Sequence, residues 1–394
     1  MLSFLLALGL AAADSVPAPR PAAAPAVVVH RQPALPIVAL RLSVLADDPA
    51  GYAGAGHLMQ HLHLPRLQDR AARVGGRVQA ERTSDAVVYT VVGPASELGY
   101  LAETLQATLA APAAGTPEML SALAALNEER GAEREVAASY IRGALRARLF
   151  PQDLSAAGTE ASAARLSVAR LGDVWGAMYR PDRVSIVAVG DVEIEGVRRA
   201  FRDVAAPATR PLEAFADTVR ALAADTPQAT RAWIARGWSA SELDPAAVTV
   251  ATRLIRTQLR RRMTRSAVEV EHWWTHDGQA VALVVATPDS LVRVARSSAD
   301  AALATVAGAL DDRAVRDAAA GVRREMLFFA RTPERMAEVL GAFADRGLGP
   351  DAAQRFFAAV EEVTADDVRA VLAALGENGV VAVDVPAQRL RRPS

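Results

Sequence analysis

Two kinds of apolar pattern alternate along this chain. Short runs rich in Val, Ile and Ala predict strands; longer stretches with Leu or Ala every three or four positions predict amphipathic helices. Val27–His30 and Ile37–Leu45 read as two strands parted by a proline-containing turn. A glycine-bearing loop then leads to Gly56 and a helix. Val74-Gly75-Gly76 is a turn, and Arg77 to Val92 holds two strands, the second being Val87–Val92. Leu98, Leu101, Leu105 and Leu109 mark a helix by their spacing. Thr116-Pro117-Glu118 starts another, with Thr as N-cap and Pro in the first helical position, and it runs past Asn127-Glu128-Glu129 to Leu149. Leu166–Tyr179 is a helix, Val184–Val192 a buried strand, and a short helix near Phe201 closes this half.

After Pro207–Pro211 the order recurs. Ala232–Ala235 is a strand and Asp244–Met263 a helix opened by Asp-Pro. Val268–Trp274 and Ala280–Thr287 are strands, and long helices fill Ser290–Ala309 and Arg313–Arg346. Both halves end alike. Leu166-Ser167-Val168 with Val187–Val192 is echoed by Val363-Thr364-Ala365 with Val380–Val385. This predicts an internal duplication of an α/β unit of roughly 190 residues. The expected fold class is therefore α/β (α+β): two duplicated halves, each a mostly antiparallel sheet with packed helices, facing each other. The expected boundaries are a candidate signal peptide at 1–13, a Pro/Ala-rich tether at 14–26, an N-terminal domain at 27–206, a linker at 207–214 and a C-terminal domain at 215–388.

Composition narrows the function. The 394 residues give room for two domains, and 51% hydrophobic residues supply a core for each. A net charge of −1 gives no field that would gather nucleic acid or anionic membrane. All positive side chains are Arg, with no Lys. The absence of Cys excludes disulfides, thiolate-held zinc and thiol catalysis. Met1–Asp14 has an apolar stretch ending in small residues, as a signal peptide does, although it lacks a basic start. No later apolar run is long enough for a membrane span. A periplasmic or secreted protein is expected.

The candidate chemistry lies in Gly54-Ala55-Gly56-His57-Leu58-Met59-Gln60-His61. Histidines four apart share one helix face, from which both imidazoles can reach a single zinc ion. An H-x-x-E-H metallopeptidase has Glu before the second His; here it is Gln60. A carboxylate there can take the proton of an attacking water, whereas a neutral amide cannot. Glu128 and Glu129, on a later helix, offer a third ligand, although a Glu/Arg-rich stretch of this kind also suits a solvated helix face. His272, Trp273, Trp274 and His276 read as strand residues lining a cavity or core.

In order, the features G-H-L-M-Q-H, V-G-G-R-V-Q-A-E-R-T-S, L-N-E-E-R and L-F-P resemble the insulinase-like (pitrilysin-type, M16) zinc peptidase family. The resemblance covers most of the chain. It implies one zinc ion held by His57, His61 and Glu129, with Glu128 orienting a ligand and Gln60 standing where the general base stands. Gln79 replaces the usual Asn of the substrate-binding edge strand. The second half lacks the family's glycine-rich loop and its tyrosine, and Arg260–Arg262 is left to supply an arginine. The expectation is a catalytically inactive or impaired homologue. It would pair with an active insulinase-like homologue or with itself and bind peptide, without nucleic acid. An active peptidase with another base and a metal-free scaffold subunit are the alternatives.

Overall fold

A computed structural model describes residues 25–45, 48–151, 158–202, 212–215 and 227–388. The candidate signal peptide, most of the tether and most of the linker lie outside these residues.

The N-terminal half runs β1 (Ala26–Arg31), β2 (Ile37–Leu45), α1 (Ala55–Ala72), β3 (Arg77–Arg82), β4 (Ala86–Pro94) and α2 (Leu98–Gln106). It continues with α3 (Thr116–Glu135), α4 (Ala137–Leu149), α5 (Glu160–Arg165), α6 (Leu171–Met178), β5 (Val184–Gly190) and α7 (Ile194–Ala200). The C-terminal half runs β6 (Ala232–Ser239), α8 (Pro245–Arg262), β7 (Ala267–Thr275), β8 (Gly278–Thr287), α9 (Val292–Asp300) and α10 (Ala302–Ala307). Then come α11 (Asp312–Phe329), α12 (Pro333–Ala344), α13 (Ala352–Glu362), α14 (Ala365–Glu377) and β9 (Val381–Val385).

The first sheet has the order β1-β5-β2-β4-β3, the second β7-β8-β6-β9. Apart from the added β1, which pairs parallel to β5, every pairing is antiparallel. Strand by strand, β5-β2-β4-β3 corresponds to β9-β6-β8-β7, and each half has a helix between its first two strands and helices before its last. The expected duplication is borne out by this order.

Several boundaries differ from expectation. The helix expected from Thr116 to Leu149 breaks at Val136, whose extended backbone (φ −86°, ψ 112°) caps α3 and opens α4. Gly115, not Thr116, is the N-cap of α3. Leu166 ends α5, and α6 begins only at Leu171. The two long C-terminal helices are each divided, the second at Thr332-Pro333, where Thr332 Oγ1 accepts from Arg335 N and Pro333 opens α12. Asp244 caps α8 as expected, accepting from Ala247 N.

Both faces of the central strands are buried because side chains alternate across a strand. On β2, Val38, Leu40, Leu42 and Val44 face their own half's core, with Leu58, Met59, Leu101 and Leu126. The opposite face is covered by a helix from the other half. Ala39, with Val187 and Val189 of β5, packs on Ala337 of α12. The arrangement is reciprocal: Ile141, Ala144 and Leu145 of α4 pack on Ala235, Val284 and Val383 of the second sheet. A side chain at Gly237 would stand 2.6 Å from a Leu149 methyl, so α4 approaches β6 closely enough that a Cβ there would push leucine side chains aside.

A buried ion pair fastens one of these junctions. Arg41 of β2 donates to both carboxylate oxygens of Asp345, just after α12, at 3.0 and 2.6 Å. Ser43 and Ser185 hydroxyls also donate to Asp345. Both charges are almost fully buried, at 3% and 4% exposure. Gly341 leaves room for the guanidinium, since a Cβ there would lie 2.3 Å from it.

Candidate metal centre

The start of α1 is held by a carboxylate and two glycines. Gly54, the N-cap, has φ 88°, a conformation that a side chain strains. Asp48 accepts from the Gly54 and Gly56 amides at 2.7 and 2.8 Å, meeting two donors that a helix N-terminus leaves open. A side chain at Gly56 would stand 2.8 Å from Val87, so the helix sits hard against the sheet. Further along, one turn past His61, Pro65 removes the amide that the His61 carbonyl would have accepted from.

His57 and His61 point from this helix toward α3. Their rings stack with centroids 4.9 Å apart. Glu129 reaches both: Oε2 lies 2.9 Å from His57 Nε2, and Oε1 lies 3.4 Å from His61 Nε2. Among the described residues these three form the group whose ligand atoms all lie within 4.8 Å of one another. Ligands at about 2.0–2.1 Å from one tetrahedral centre stand roughly 3.3 Å apart, and two imidazoles with one carboxylate are a zinc donor set. The residues present fit a zinc ion.

Gln60 lies between the two histidines in sequence and is 8% exposed. Its Nε2 donates to the Ala80 carbonyl of β3 at 3.1 Å. That bond fixes the orientation, because the flipped amide would set oxygen against oxygen. Oε1 is left buried without a hydrogen-bond partner among the described residues. Glu128, one residue from the converging carboxylate, is exposed and makes no hydrogen bond or ion pair among the described residues. His63, two residues past His61, belongs to a different environment. It is buried against Tyr89 and Tyr179, and desolvation, with Arg66 adding to it, lowers its pKa to about 4.

In the second half, Arg260 donates to the Val268 carbonyl and Arg262 to Thr305, so these arginines serve their own half. His272 and Trp274 line a cavity and Trp273 packs against the core beside α4, as expected, whereas His276 lies just past β7 and bonds across to Asp85 in the β3–β4 turn. The Gln60–Ala80 bond and the Asp48 cap were not foreseen. The first joins residues 20 apart with no local signal; the second follows the rule that short acceptors cap helices, applied across a glycine loop.

No family profile matches the sequence, and no curated protein does. Solved structures do. A protease from Helicobacter pylori superposes with TM-score 0.76 at 13% identity, over 91% of this chain and 96% of that one. An inactive M16 peptidase domain from Pseudomonas fluorescens gives 0.74 at 12% identity, over 95% and 99%. This chain has the fold of the M16 peptidases. The first half of the periplasmic protease PqqL from Escherichia coli shares the M16 fold too, with TM-score 0.68 at 15% identity over 92% and 90%. The duplicated halves are those that the sequence resemblance implied. Among the described residues no helix is long and apolar enough to cross a membrane.

Proposed function

We propose that this chain is a zinc-binding M16-type homologue without a general base, serving as the peptide-binding partner of an active homologue. The observation that carries this reading is Gln60. Its amide donor is committed to Ala80, its remaining oxygen is uncharged, and neither end can accept a proton from water at neutral pH. Bound zinc would supply Lewis-acid polarisation of a carbonyl. His57, His61 and Glu129 would hold it, while Gln60 Oε1 would accept a hydrogen bond from whatever donor enters beside it. β3 is an edge strand of the sheet, and an extended peptide can add to such an edge by main-chain hydrogen bonds without any catalysis.

The inactive M16 domain and the half-protease among the similar structures support a paired role, as does the expected export to the periplasm. A peptidase using Glu128 as base is the competing reading; the exposed, unpartnered position of Glu128 weighs against it. A metal-free scaffold has no use for three converging ligands.

The test is metal content together with hydrolysis. The expected result is about one zinc per chain, lost in His57→Ala, a wild type silent on a mixed peptide pool, and a Gln60→Glu variant that cuts. Restored proton transfer is worth about 10²–10⁴ in rate. A wild type that cuts as fast as the variant sinks the inactive reading.

A further inference from the structure

The second half holds an open cavity of about 570 Å³ lined by α8, β7, α11 and α12. By element order the first three are the counterparts of α1, β3 and α3, which frame the metal cradle in the first half. No histidine occurs on α8, so the duplicated site has exchanged its metal ligands for other groups.

Those groups are unevenly paired. Arg253 and Arg256 of α8 both lean on one carboxylate, Glu325 of α11, at 2.5 and 2.7 Å. Gly321 seats the first of them, since a Cβ there would lie 2.2 Å from Arg253 Nε. The other charges on the wall are spoken for. Glu271 is bound by Arg142 and the Trp273 indole, Glu338 by Arg335, and Arg346 by the Trp274 carbonyl and Asp85. Glu271 shares Arg142 with Glu269, so the wall as a whole balances at three Arg and three Glu, and the imbalance is local: two guanidiniums on the single carboxylate of Glu325. Thr252 adds a second signal. Thr249 and Thr257 return their hydroxyls to carbonyls four residues back, but Thr252 Oγ1 is buried, belongs to a residue lining the cavity and has no partner among the described residues. Its residue is 6% exposed. The floor is aromatic: Trp274 packs with Phe343 and Phe356, and His272 stacks on it at 5.9 Å. His272 is itself satisfied by Thr249 and Gln279.

We propose that this cavity is a binding site for a ligand with an aromatic or bulky apolar body and one carboxylate, the carboxylate joining Arg253 and Arg256 and the body lying on Trp274. The volume is that of a small-molecule pocket. The C-terminal residue of a peptide and a free arylalkanoate share this chemistry.

Titration calorimetry on the full chain tests it, with N-acetyl-L-phenylalanine, its amide and 3-phenylpropanoate as probes. The acid binds saturably at one site, the amide at least tenfold more weakly. Arg256→Gln weakens the acid by a similar factor and leaves the amide unchanged. Ala342→Phe, which fills the cavity, removes both; if that variant does not fold, the acid–amide comparison and Arg256→Gln decide. Tighter binding of the N-acetyl amino acid than of 3-phenylpropanoate supports the site and identifies a peptide C-terminus; equal binding supports it and identifies a free acid. No binding of either acid, equal affinity for acid and amide, or an unchanged affinity in Arg256→Gln overturns the proposal. Arg256→Gln lies far from His57, His61 and Gln60 in the fold, so acid binding that survives it belongs elsewhere, and a negative result leaves the reading of the first half standing.

Discussion

At Gln60 a single amide does two things that a carboxylate cannot do together. It donates to Ala80, and it keeps a neutral oxygen in a buried place. Gln60→Glu puts a carboxylate against a carbonyl, so without metal the variant should be less stable by about 1–3 kcal/mol. Saturating zinc should recover part of that loss, since a nearby cation favours the carboxylate. Urea midpoints with and without zinc check this, and a variant as stable as wild type without metal would count against it. His272 carries a pH prediction. Burial, with Arg346 nearby opposing the gain from Gln279, lowers its pKa from 6.5 to about 4. The unfolded chain then takes up a proton before the folded one does. Stability from this group is complete above about pH 6.5 and is lost as pH falls toward 4, by up to roughly 3 kcal/mol. In His272→Gln that part of the acid sensitivity should vanish from urea titrations at about pH 7 and pH 5. The histidine pair was legible in the sequence because the helical period alone puts positions four apart on one face. Glu129 could be chosen over Glu128 only by resemblance, since neighbouring helix positions point about 100° apart and composition does not say which one faces inward.

Most strands were read closely, β2 to the residue, because short apolar runs are bounded by turn residues, although Ala232–Ala235 covers only half of β6. Helix ends were read less well. Val136 interrupts an Ala-, Glu- and Arg-rich run that offers no local reason to stop. What ends α3 there is the need to send α4 over the other sheet, a tertiary demand. The break at Thr332-Pro333, by contrast, carries its own cap and proline and was there to be seen. The fit of α4 to β6 makes Gly237→Ala costly. Its Cβ would meet Leu145 and Leu149 at 2.9 and 2.6 Å, and overpacking of this kind costs about 1–3 kcal/mol. A thermal midpoint unchanged by that substitution would contradict the packing described here. Asp345→Ala leaves Arg41 buried and uncompensated, which should cost about 3–5 kcal/mol. The paired change Arg41→Met with Asp345→Leu should recover much of that loss, a result a double-mutant cycle would register.

On the scale of the whole molecule, the sequence announced two similar halves but not that each lends a helix to the other. Periodicity shows that a helix has an apolar face; it does not say which sheet that face covers. Because α4 completes the second sheet and α12 the first, neither half should be stable alone. Residues 1–202 and 203–394 made as separate chains should be insoluble singly and should form a soluble one-to-one complex when expressed together. A soluble, cooperatively unfolding single half would refute this.

The same exchange gives the metal cradle a mechanical attachment. Glu129 sits on α3, and only Val136 separates α3 from α4, which is clamped to the second half. His57 and His61 are fixed to the first. The carboxylate of the group is thus tied by a short lever to the opposite side of the molecule. Any hinge motion that parts the halves draws the carboxylate away from the imidazoles, and any ion that holds all three resists the parting. For a metal held by these three side chains, affinity and the opening of the two halves would be one linked equilibrium, and a partner that shifted either would shift the other by the same factor.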